Sequence, residues 1–405
     1  PFPLFKPMPQ DETSHTGTVT PSKAPLWYDP KIRAVFFQVG VLAMVGLLGY
    51  YLVTNTLDNL ERQDIATGFG FLEKQSSFEI GESLISYSAA DTYFRALLVG
   101  ALNTLLVSFI GITFTIILGT FIGIARLSTN WLLSKMAGIY IEFFQDIPIL
   151  LQLFFWYAFF YVSLPQPKQA LKFFKGVFLC NRGLIFGIPA AHPAFKYMAV
   201  AFLIGCLAVY LMRRWARKRQ DETGRIFPVF RSAVGILIGL PVLTWWAAGA
   251  PTAMDMPVLR GFNFQGGITV SPEFTAVLLG LVLYTAAFVA EVVRAGIQSV
   301  SKGQTEAAAS IGLKPGQILN QVILPQALRV IIPPLTSQML NLTKNSSLAV
   351  AIGYPEFVSV SGTTINQTGQ AIEGVALIMT IYLIFSLTTS AFMNWYNKKI
   401  KLVER

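Results

Sequence analysis

The chain has 405 residues, of which 53% are hydrophobic and only 13% are charged, and its mean hydropathy is +0.55. Soluble domains carry about a quarter charged residues, so this composition excludes an ordinary soluble protein and favours a membrane protein with several spans. The net charge of +10 does not require a nucleic-acid partner, because Lys and Arg collect in the cytoplasmic loops of membrane proteins.

Apolar segments follow a tail rich in Pro, Ser and Thr over residues 1–31. A span takes about 20 apolar residues, and eight segments of this chain are long enough. We predict the spans at 32–53, 95–125, 138–162, 195–212, 230–249, 273–297, 328–354 and 374–396.

Basic residues set the orientation of these spans. They precede the first span, separate the second from the third and the fourth from the fifth, and follow the eighth. With eight spans, these positions all lie on the same side of the membrane, so both termini are predicted in the cytoplasm. One loop disagrees, because Lys168, Lys172, Lys175 and Arg182 would lie outside. An interfacial helix over 168–175 is the expected explanation.

A short polar stretch lies between the sixth and seventh spans, on the predicted cytoplasmic side. Thr305 is placed to cap a helix, and Glu306 falls in the first turn, where the helix dipole favours an anion. Gly312 is placed to end that helix in a left-handed conformation. Pro315 can open a second short helix, and Pro325 can open the next span. The stretch therefore predicts two exposed short helices joined by a turn.

This stretch carries a specific motif. Glu306-Ala307-Ala308 is followed after three residues by Gly312, and nine residues later by Val322-Ile323-Leu324-Pro325. A random window would match such a pattern about once in ten million. The pattern resembles the EAA signature of permease subunits of bacterial ATP-binding-cassette importers. The resemblance implies an all-α integral membrane protein, with the type I importer transmembrane domain, about eight spans and a cytoplasmic coupling helix.

In that family the coupling helix docks on a separate ATPase. The resemblance assigns this contact to one set of residues: Gly303, Gln304, Glu306, Ala307, Ala308, Gly312 and Pro325. No Gly-x-x-x-x-Gly-Lys-[Ser/Thr] loop occurs, so this chain is expected to bind no cofactor, and ATP and Mg²⁺ are expected on the partner ATPase.

Other segments resemble the polar amino-acid branch of these permeases. They are 146–152, 290–297, 303–304 and 344–348, although the chain departs from the branch at Gln145 and Asp146. The segment 68–72, the segment 102–105 and the overall length resemble the longer general L-amino-acid permease subunits. The resemblance implies a bacterial inner-membrane importer of polar or general L-amino acids. Its implied partners are an ATPase dimer, a second homologous permease (as a heterodimer or a homodimer) and a periplasmic amino-acid-binding protein.

The same resemblance divides the chain. It predicts a cytoplasmic tail (1–31), an additional span (32–53), a periplasmic loop (54–94), the first part of the permease core (95–162), an insertion with two extra spans (163–272), the second part of the core (273–397) with the coupling helix at 303–318, and a cytoplasmic tail (398–405).

Polar side chains inside spans are costly, so their positions suggest a translocation path for a zwitterionic amino acid. The candidates lie in span seven, with one each in spans two and three: Asn341, Lys344, Asn345, Ser346, Ser347, Asn103 and Gln152. Hydrogen bonding between helices is the alternative role. For Lys344 the alternatives are an acid of the partner subunit or the membrane boundary. Pro333 and Pro334 predict local unwinding of this span.

Glu291 and Arg294 lie three residues apart near the cytoplasmic end of span six. This spacing predicts a local ion pair, and a gate or a brace for the coupling helix is the alternative.

Other classes of function fit less well. The chain lacks paired carboxylates, a nucleophile–base arrangement and metal-ligand spacing, so neither an enzyme nor a metal site is expected. An ion-coupled secondary amino-acid transporter predicts acids near the middle of the membrane. However, Glu142, Asp146 and Glu291 lie towards span ends. A membrane scaffold would leave the polar run of span seven without a role.

Overall fold

The computed structural model describes residues 30–62, 67–225 and 227–400. The predicted tails therefore fall largely outside the described residues, which exclude 1–29 and 401–405. The described part is mainly helical. Its α-helices are α1 (Pro30–Arg62), α2 (Tyr93–Arg126), α3 (Trp131–Asp146), α4 (Ile149–Ala158), α5 (Pro193–Thr223), α6 (Val229–Ala247), α7 (Pro272–Gln298), α8 (Lys302–Ser310), α9 (Pro315–Ile318), α10 (Leu324–Asn345), α11 (Phe357–Thr368) and α12 (Ala371–Ile400).

The number of candidate membrane spans agrees with the number predicted from the sequence. Seven helices of the described chain are long and apolar enough to cross a bilayer, and α3 with α4 forms an eighth candidate that is bent by 100°. The prediction of about eight spans is thus confirmed. Residue contacts assign α1 to one unit and Gly68–Arg405 to a second. All further elements belong to the second unit.

The third predicted span is broken into the two helices α3 and α4. Ile147 is extended (φ −90°, ψ 123°) between α3 and α4, and Pro148 follows it. Proline disfavours the helical conformation in the preceding residue and donates no backbone hydrogen bond. The Gln152 side chain replaces lost bonds, because its Nε2 donates to the carbonyls of Phe144 (3.1 Å) and Ile147 (2.9 Å).

The seventh span is not unwound at its prolines, so that expectation was wrong. The helix α10 runs through Pro333 and Pro334 and changes to a 3₁₀ helix only over Ser346–Ile352. The φ angle of proline is already helical, but each proline removes one backbone hydrogen bond and crowds the carbonyl four residues earlier, so packing must hold the helix here. Ile331, beside them, packs with Val289 and Val293 of α7, which holds the segment in place.

The helix α7 lies at the centre of the second unit and packs closely against α2. A Cβ atom on Gly119 of α2 would lie 2.6 Å from Val289 Cβ, and one on Gly123 would lie 2.7 Å from the Ala290 carbonyl. Small residues at this contact let the two helix backbones approach each other. Leu153 of α4 and Leu342 of α10 extend the same buried core.

Short antiparallel strands occupy the two loops that flank α5 and α6. They are β1 (Leu171–Phe174), β2 (Val177–Cys180), β3 (Gly183–Phe186), β4 (Ile188–Pro189), β5 (Met254–Asp255), β6 (Val258–Arg260), β7 (Asn263–Gln265) and β8 (Ile268–Val270). The main sheet has the order β1-β2-β3-β8, and β4-β5 and β6-β7 are separate pairs. The prediction of an interfacial helix over 168–175 was wrong, because Gly176 (φ +80°) turns the chain back and β1 pairs with β2.

The elements define two opposite ends of α7. The helix begins at Pro272, directly after β8, and ends at Gln298, directly before α8. We call these the sheet end and the α8 end. The hairpin of α5 and α6 packs mainly on itself, with Gly205 of α5 facing Leu237 and Leu240 of α6.

Candidate functional site

The polar stretch at the α8 end folds as two short helices, but the first begins earlier than predicted. Ser301 is its N-cap, and the Ser301 hydroxyl accepts the Gly303 N–H at 3.3 Å. Thr305 therefore lies inside α8, and Glu306 follows the first turn. Serine and threonine both favour the N-cap position, and Ser301 and Thr305 lie one turn apart. The sequence alone therefore does not show which of them caps the helix.

The turn after α8 has the predicted conformation. Gly312 has φ +81°, and the Leu313 N–H donates to the Ala308 carbonyl at 3.2 Å. Pro315 opens α9, and Gln317 Oε1 accepts the Lys314 N–H at 3.0 Å. These two predictions are confirmed, and they give the turn a defined backbone.

Pro325 lies in the first turn of α10, as predicted, but α10 does not start as a separate helix. Helical structure continues from α9 through a π turn at Leu319–Ile323 into α10. The Leu324 N–H donates to the Leu319 carbonyl in this turn. The wider turn comes just before Pro325, which has no N–H to donate.

The predicted contact set is exposed at most of its positions, and the exceptions are the buried Ala308 and the half-buried Pro325. Gly303, Gln304, Glu306 and Ala307 are exposed, whereas Ala308 is only 5% exposed and packs inside this chain. Ile311 is 77% exposed at the turn. Sequence reasoning did not single out this residue, although an apolar side chain directly before a turn glycine was a visible signal.

Side-chain contacts are formed both within this element and in the last turns of α7 that precede it. Gln304 Oε1 accepts a hydrogen bond from Gln326 Nε2 at 3.3 Å, which joins α8 to the start of α10. Glu291 and Arg294 form the predicted ion pair near the end of α7, with Nη2 and Oε2 2.7 Å apart. Arg294 also donates to Gln298 Oε1 at 2.9 Å. The pair therefore braces the last turn of α7 just before α8.

The polar residues of span seven split into two groups. Asn341 and Lys344 are exposed, and with Pro334 and Ser337 they recur every three or four residues along α10. We call these four residues the α10 stripe. In contrast, the hydroxyl groups of Ser346 and Ser347 donate to backbone carbonyls of Thr343 and Lys344, both at 2.7 Å. Asn345 is half-buried.

The side-chain N–H groups of Asn103 and Gln152 already donate to backbone carbonyls and not to the α10 stripe. Asn103 is 2% exposed, and its Nδ2 donates to the carbonyls of Glu82 and Pro355, both at 2.9 Å. The Gln152 amide spans the break between α3 and α4. The Gln152 bond to Phe144 links α4 to α3 and fits the expected alternative of bonding between helices, whereas the carbonyls that Asn103 bonds lie outside the helices.

Two cavities lie away from the α8 end. One, of about 690 Å³, runs between α10 and α12, and its lining includes Lys344, Ser347, Tyr382 and Ser386. The other, of about 430 Å³, lies at the sheet end, and its lining includes Glu79, Glu82 and Glu273. Burial, and secondarily the charge of Glu273, raise the pKa of Glu82 to about 7.

Residues 111–402 match the family described as binding-protein-dependent transport system inner membrane component. The chain belongs to this family. It is 49% identical over 380 residues to the general L-amino acid transport system permease protein AapQ of Rhizobium johnstonii, covering 93% of this chain and 94% of that protein. It is 50% identical over 379 residues to the putative amino-acid ABC transporter permease protein YhdX of Escherichia coli, covering 93% and 96%.

A third relative of this transport family is the glutamate/glutamine/aspartate/asparagine transport system permease protein BztB of Rhodobacter capsulatus. It is 40% identical over 419 residues, covering 94% of this chain and 96% of that protein. A crystal structure of an amino acid ABC transporter with histidines matches with a TM-score of 0.45 and 20% identity, covering 76% of this chain and 95% of that one.

Family membership confirms the resemblance first indicated by the EAA motif, to permease subunits of ATP-binding-cassette importers. Such permeases are multi-pass membrane proteins that work with an ATPase and a substrate-binding protein. They are transport components rather than enzymes.

Proposed function

We propose that this chain is a permease subunit of an ATP-driven importer of polar or general L-amino acids. Its spans form the translocation path together with a second, homologous permease subunit. The observation that carries the proposal is the exposed helix–turn element at 301–326, which bears the EAA pattern. The printed names of the relatives, which specify general L-amino acids or glutamate, glutamine, aspartate and asparagine, support the substrate class.

The α8 end faces the cytoplasm in this proposal, as do both termini. Basic residues support this orientation, because Arg126 ends α2 and packs against α3, and α5 carries Arg213 to Arg219 near its C-terminal end. Lys and Arg are enriched in cytoplasmic loops of membrane proteins. The sheet end then faces the periplasm, where a substrate-binding protein delivers its ligand.

The contact with the ATPase is formed by the exposed part of α8 and its turn. Glu306 supplies a charge, Gly303 and the small Ala307 side chain allow close approach, and Ile311 supplies an apolar anchor. Ala308 packs inward and holds α8 in place. Desolvated apolar anchors with a polar surround are typical of stable interfaces.

The α10 stripe lines the path. Its side chains are exposed within the described chain, as expected of residues that face a second subunit across a polar channel. Lys344 is placed to bind the substrate carboxylate, and Asn341 offers both a donor and an acceptor.

The test of the function is uptake by the purified complex in proteoliposomes. ATP enclosed with the ATPase should drive accumulation of labelled glutamate or glutamine in the absence of any ion gradient. Uptake that continues without the ATPase but stops when ion gradients are dissipated would overturn the proposal in favour of an ion-coupled secondary transporter.

The coupling contact has its own test. Glu306→Lys should abolish co-purification of the ATPase and leave membrane insertion unchanged, because it reverses an exposed charge at the proposed contact. Glu222→Lys reverses another exposed acid, at the end of α5, and serves as the matched control. Normal ATPase recovery with Glu306→Lys would contradict this assignment.

A further inference from the structure

The strand β1 forms an exposed edge of the main sheet. It is the terminal strand in the order β1-β2-β3-β8, and all four of its residues are exposed. Phe174 is 78% exposed, and Phe262, in the turn between β6 and β7, is 77% exposed. The Lys168 Nζ lies 4.5 Å from the centroid of the Phe262 ring, so this turn lies beside the start of β1. We call Lys168, residues 171–175 and Phe262 the aromatic edge.

Such an edge is unfavourable in water. Unpaired backbone groups next to exposed aromatic rings template pairing with other chains, and proteins cover such edges or disrupt them. The hydrocarbon interior of a bilayer is also unsuitable, because the unpaired N–H and C=O groups would have no hydrogen-bond partner there. The interface between lipid headgroups and acyl chains satisfies both constraints, because it offers water to the backbone and apolar contact to the rings.

The charge of this region matches anionic headgroups. Residues 164–192 and 250–271 contain five basic residues and one acid, which gives 5 − 1 = +4; they are Lys168, Lys172, Lys175, Arg182, Arg260 and Asp255. The acid is already engaged, since Asp255 Oδ2 accepts the Gly267 N–H at 3.0 Å. Clusters of Lys and Arg next to a membrane bind anionic lipids.

The chain connectivity keeps the edge near the membrane. The helical segment that follows α4 ends at Ser163, and β1 begins at Leu171, so seven residues (164–170) join them. Seven residues span at most about 25 Å. At the opposite side of the sheet, Val270 of β8 packs on the core that contains Phe274 of α7.

We propose that the aromatic edge binds anionic phospholipid in the periplasmic leaflet. Phe173, Phe174 and Phe262 enter the boundary of the acyl chains, and Lys168, Lys172 and Lys175 bind lipid phosphates. This contact explains why a basic loop lies on the side where Lys and Arg are usually scarce. The choice of leaflet rests on the orientation proposed above, whereas the lipid contact itself is independent of the substrate and of ATP coupling.

The test measures the depth of a spin label in the complete transporter, in nanodiscs of phosphatidylcholine with or without phosphatidylglycerol. The label is placed by Phe174→Cys in a Cys206→Ser background, and Cys180 is buried. Ser83→Cys supplies an exposed reference in the segment before α2, and Ile238→Cys supplies a reference on an exposed face of α6. Collision rates with oxygen and with a water-soluble nickel chelate report depth.

We expect the label at position 174 to collide more with oxygen than the label at position 83 does, and to move deeper when phosphatidylglycerol is added. Replacing Lys168, Lys172 and Lys175 together by Gln should abolish the response to phosphatidylglycerol, because each lysine contributes roughly a fivefold preference for an anionic surface. Replacing the same lysines by Arg should preserve the response. Continued protection of Cys180 from maleimide shows that the sheet is intact.

Two results would overturn the proposal. One is a label at position 174 that is as accessible to the nickel chelate as the label at position 83 in both lipid mixtures. The other is protection at position 174 that arises only when the periplasmic binding protein is added, which would make the aromatic edge a protein-docking surface. Neither result depends on whether the complex transports amino acids, so failure here is distinct from failure of the proposed function.

Discussion

Glu82 shows how one carboxyl group can make the sheet end sensitive to pH. It is half-buried in the segment before α2, beside Glu273 at the start of α7, and its charge also acts on Tyr354. Burial and then Glu273 raise the pKa of Glu82 from 4.5 to about 7. The folded segment therefore holds the proton more tightly than the unfolded segment does, which favours folding at low pH.

The packing of residues 74–92 should accordingly be most stable below about pH 4.5 and should weaken as pH rises through about 7. The change is at most about 3 kcal/mol, and less because solvent reaches part of the side chain. Hydrogen exchange of this segment at pH 5 and pH 8, corrected for intrinsic rates, measures it. Glu82→Gln should remove the pH dependence, and Glu79→Gln should retain it. Equal protection of the wild-type segment at both pH values would contradict this assignment.

Lys344 is the residue of the α10 stripe with the clearest expected role in transport. Lys344→Met should raise the KM for amino-acid uptake about tenfold or more, because a charge-assisted hydrogen bond to the carboxylate is lost. Lys344→Arg should largely restore the wild-type KM. Lys398→Met, which changes an exposed lysine near the end of α12, is the control. An unchanged KM with Lys344→Met would leave this residue at a boundary or a subunit contact.

The buried amides show what the sequence could not resolve at this scale. Asn103 and Gln152 were recognised as polar residues within spans, and transport and structural roles both remained open. The partners of Asn103 are carbonyls of Glu82 and Pro355, which are distant in sequence. Only tertiary structure shows that these donors are already used.

At the scale of elements, the turn after α8 depends on one backbone conformation. Gly312 has φ +81°, and no atom lies within 4 Å of a Cβ atom built there, so a side chain would meet strain and no steric clash. Gly312→Ala should destabilise the turn by on the order of 1 kcal/mol. Hydrogen exchange over 302–318 should become faster by roughly fivefold.

Gly316→Ala is the matched control for that substitution. Gly316 lies in α9 and also has open space around a built Cβ atom. Alanine favours helix, so protection of the segment should be unchanged or higher. If Gly312→Ala also leaves the exchange unchanged, the left-handed turn is not what orders this element.

How well each element was predicted depended on how far apart in sequence its interacting residues lie. Gly312 and Pro315 act through their own backbone geometry, so the sequence predicted the turn and the start of α9 correctly. Pro148 was an equally local signal, but the hydropathy of the surrounding residues concealed the break it causes. The strands β1 to β8 are two to four residues long, and their pairing across α5 and α6 left no periodic pattern in the sequence.

At the scale of the whole molecule, the contact between α2 and α7 holds the membrane core together. Gly119→Val should lower the melting temperature of the detergent-solubilised protein, because a Cβ atom would lie 2.6 Å from Val289. Overpacking of this kind costs about 1–3 kcal/mol. Gly235→Val in α6, where no atom lies within 4 Å of a built Cβ atom, should leave it nearly unchanged. Equal melting temperatures of the two variants would show that α2 and α7 can separate without cost.

The sequence predicted the class of the molecule because hydropathy and the EAA motif are local properties. The number and approximate places of the spans followed from apolar length alone. In contrast, the central position of α7 depends on small residues that meet across helices, and sequence spacing does not show which glycine faces which partner. The insertion shows the same limit, since the strand pairs β3–β8 and β4–β5 join segments that α5 and α6 separate in sequence.

The unbroken helical path from α9 to the 3₁₀ helix has a mechanical consequence. Residues Pro315–Ile352 connect the turn after α8 to the sheet end in one continuous run of helical structure. From Leu324 to Lys344 this rod is about 30 Å long at 1.5 Å per residue. A tilt of about 10° at its base would carry the Lys344 side chain roughly 5 Å sideways. In the function proposed above, the rod would act as a lever that converts a small shift at α8 into a larger displacement of Lys344.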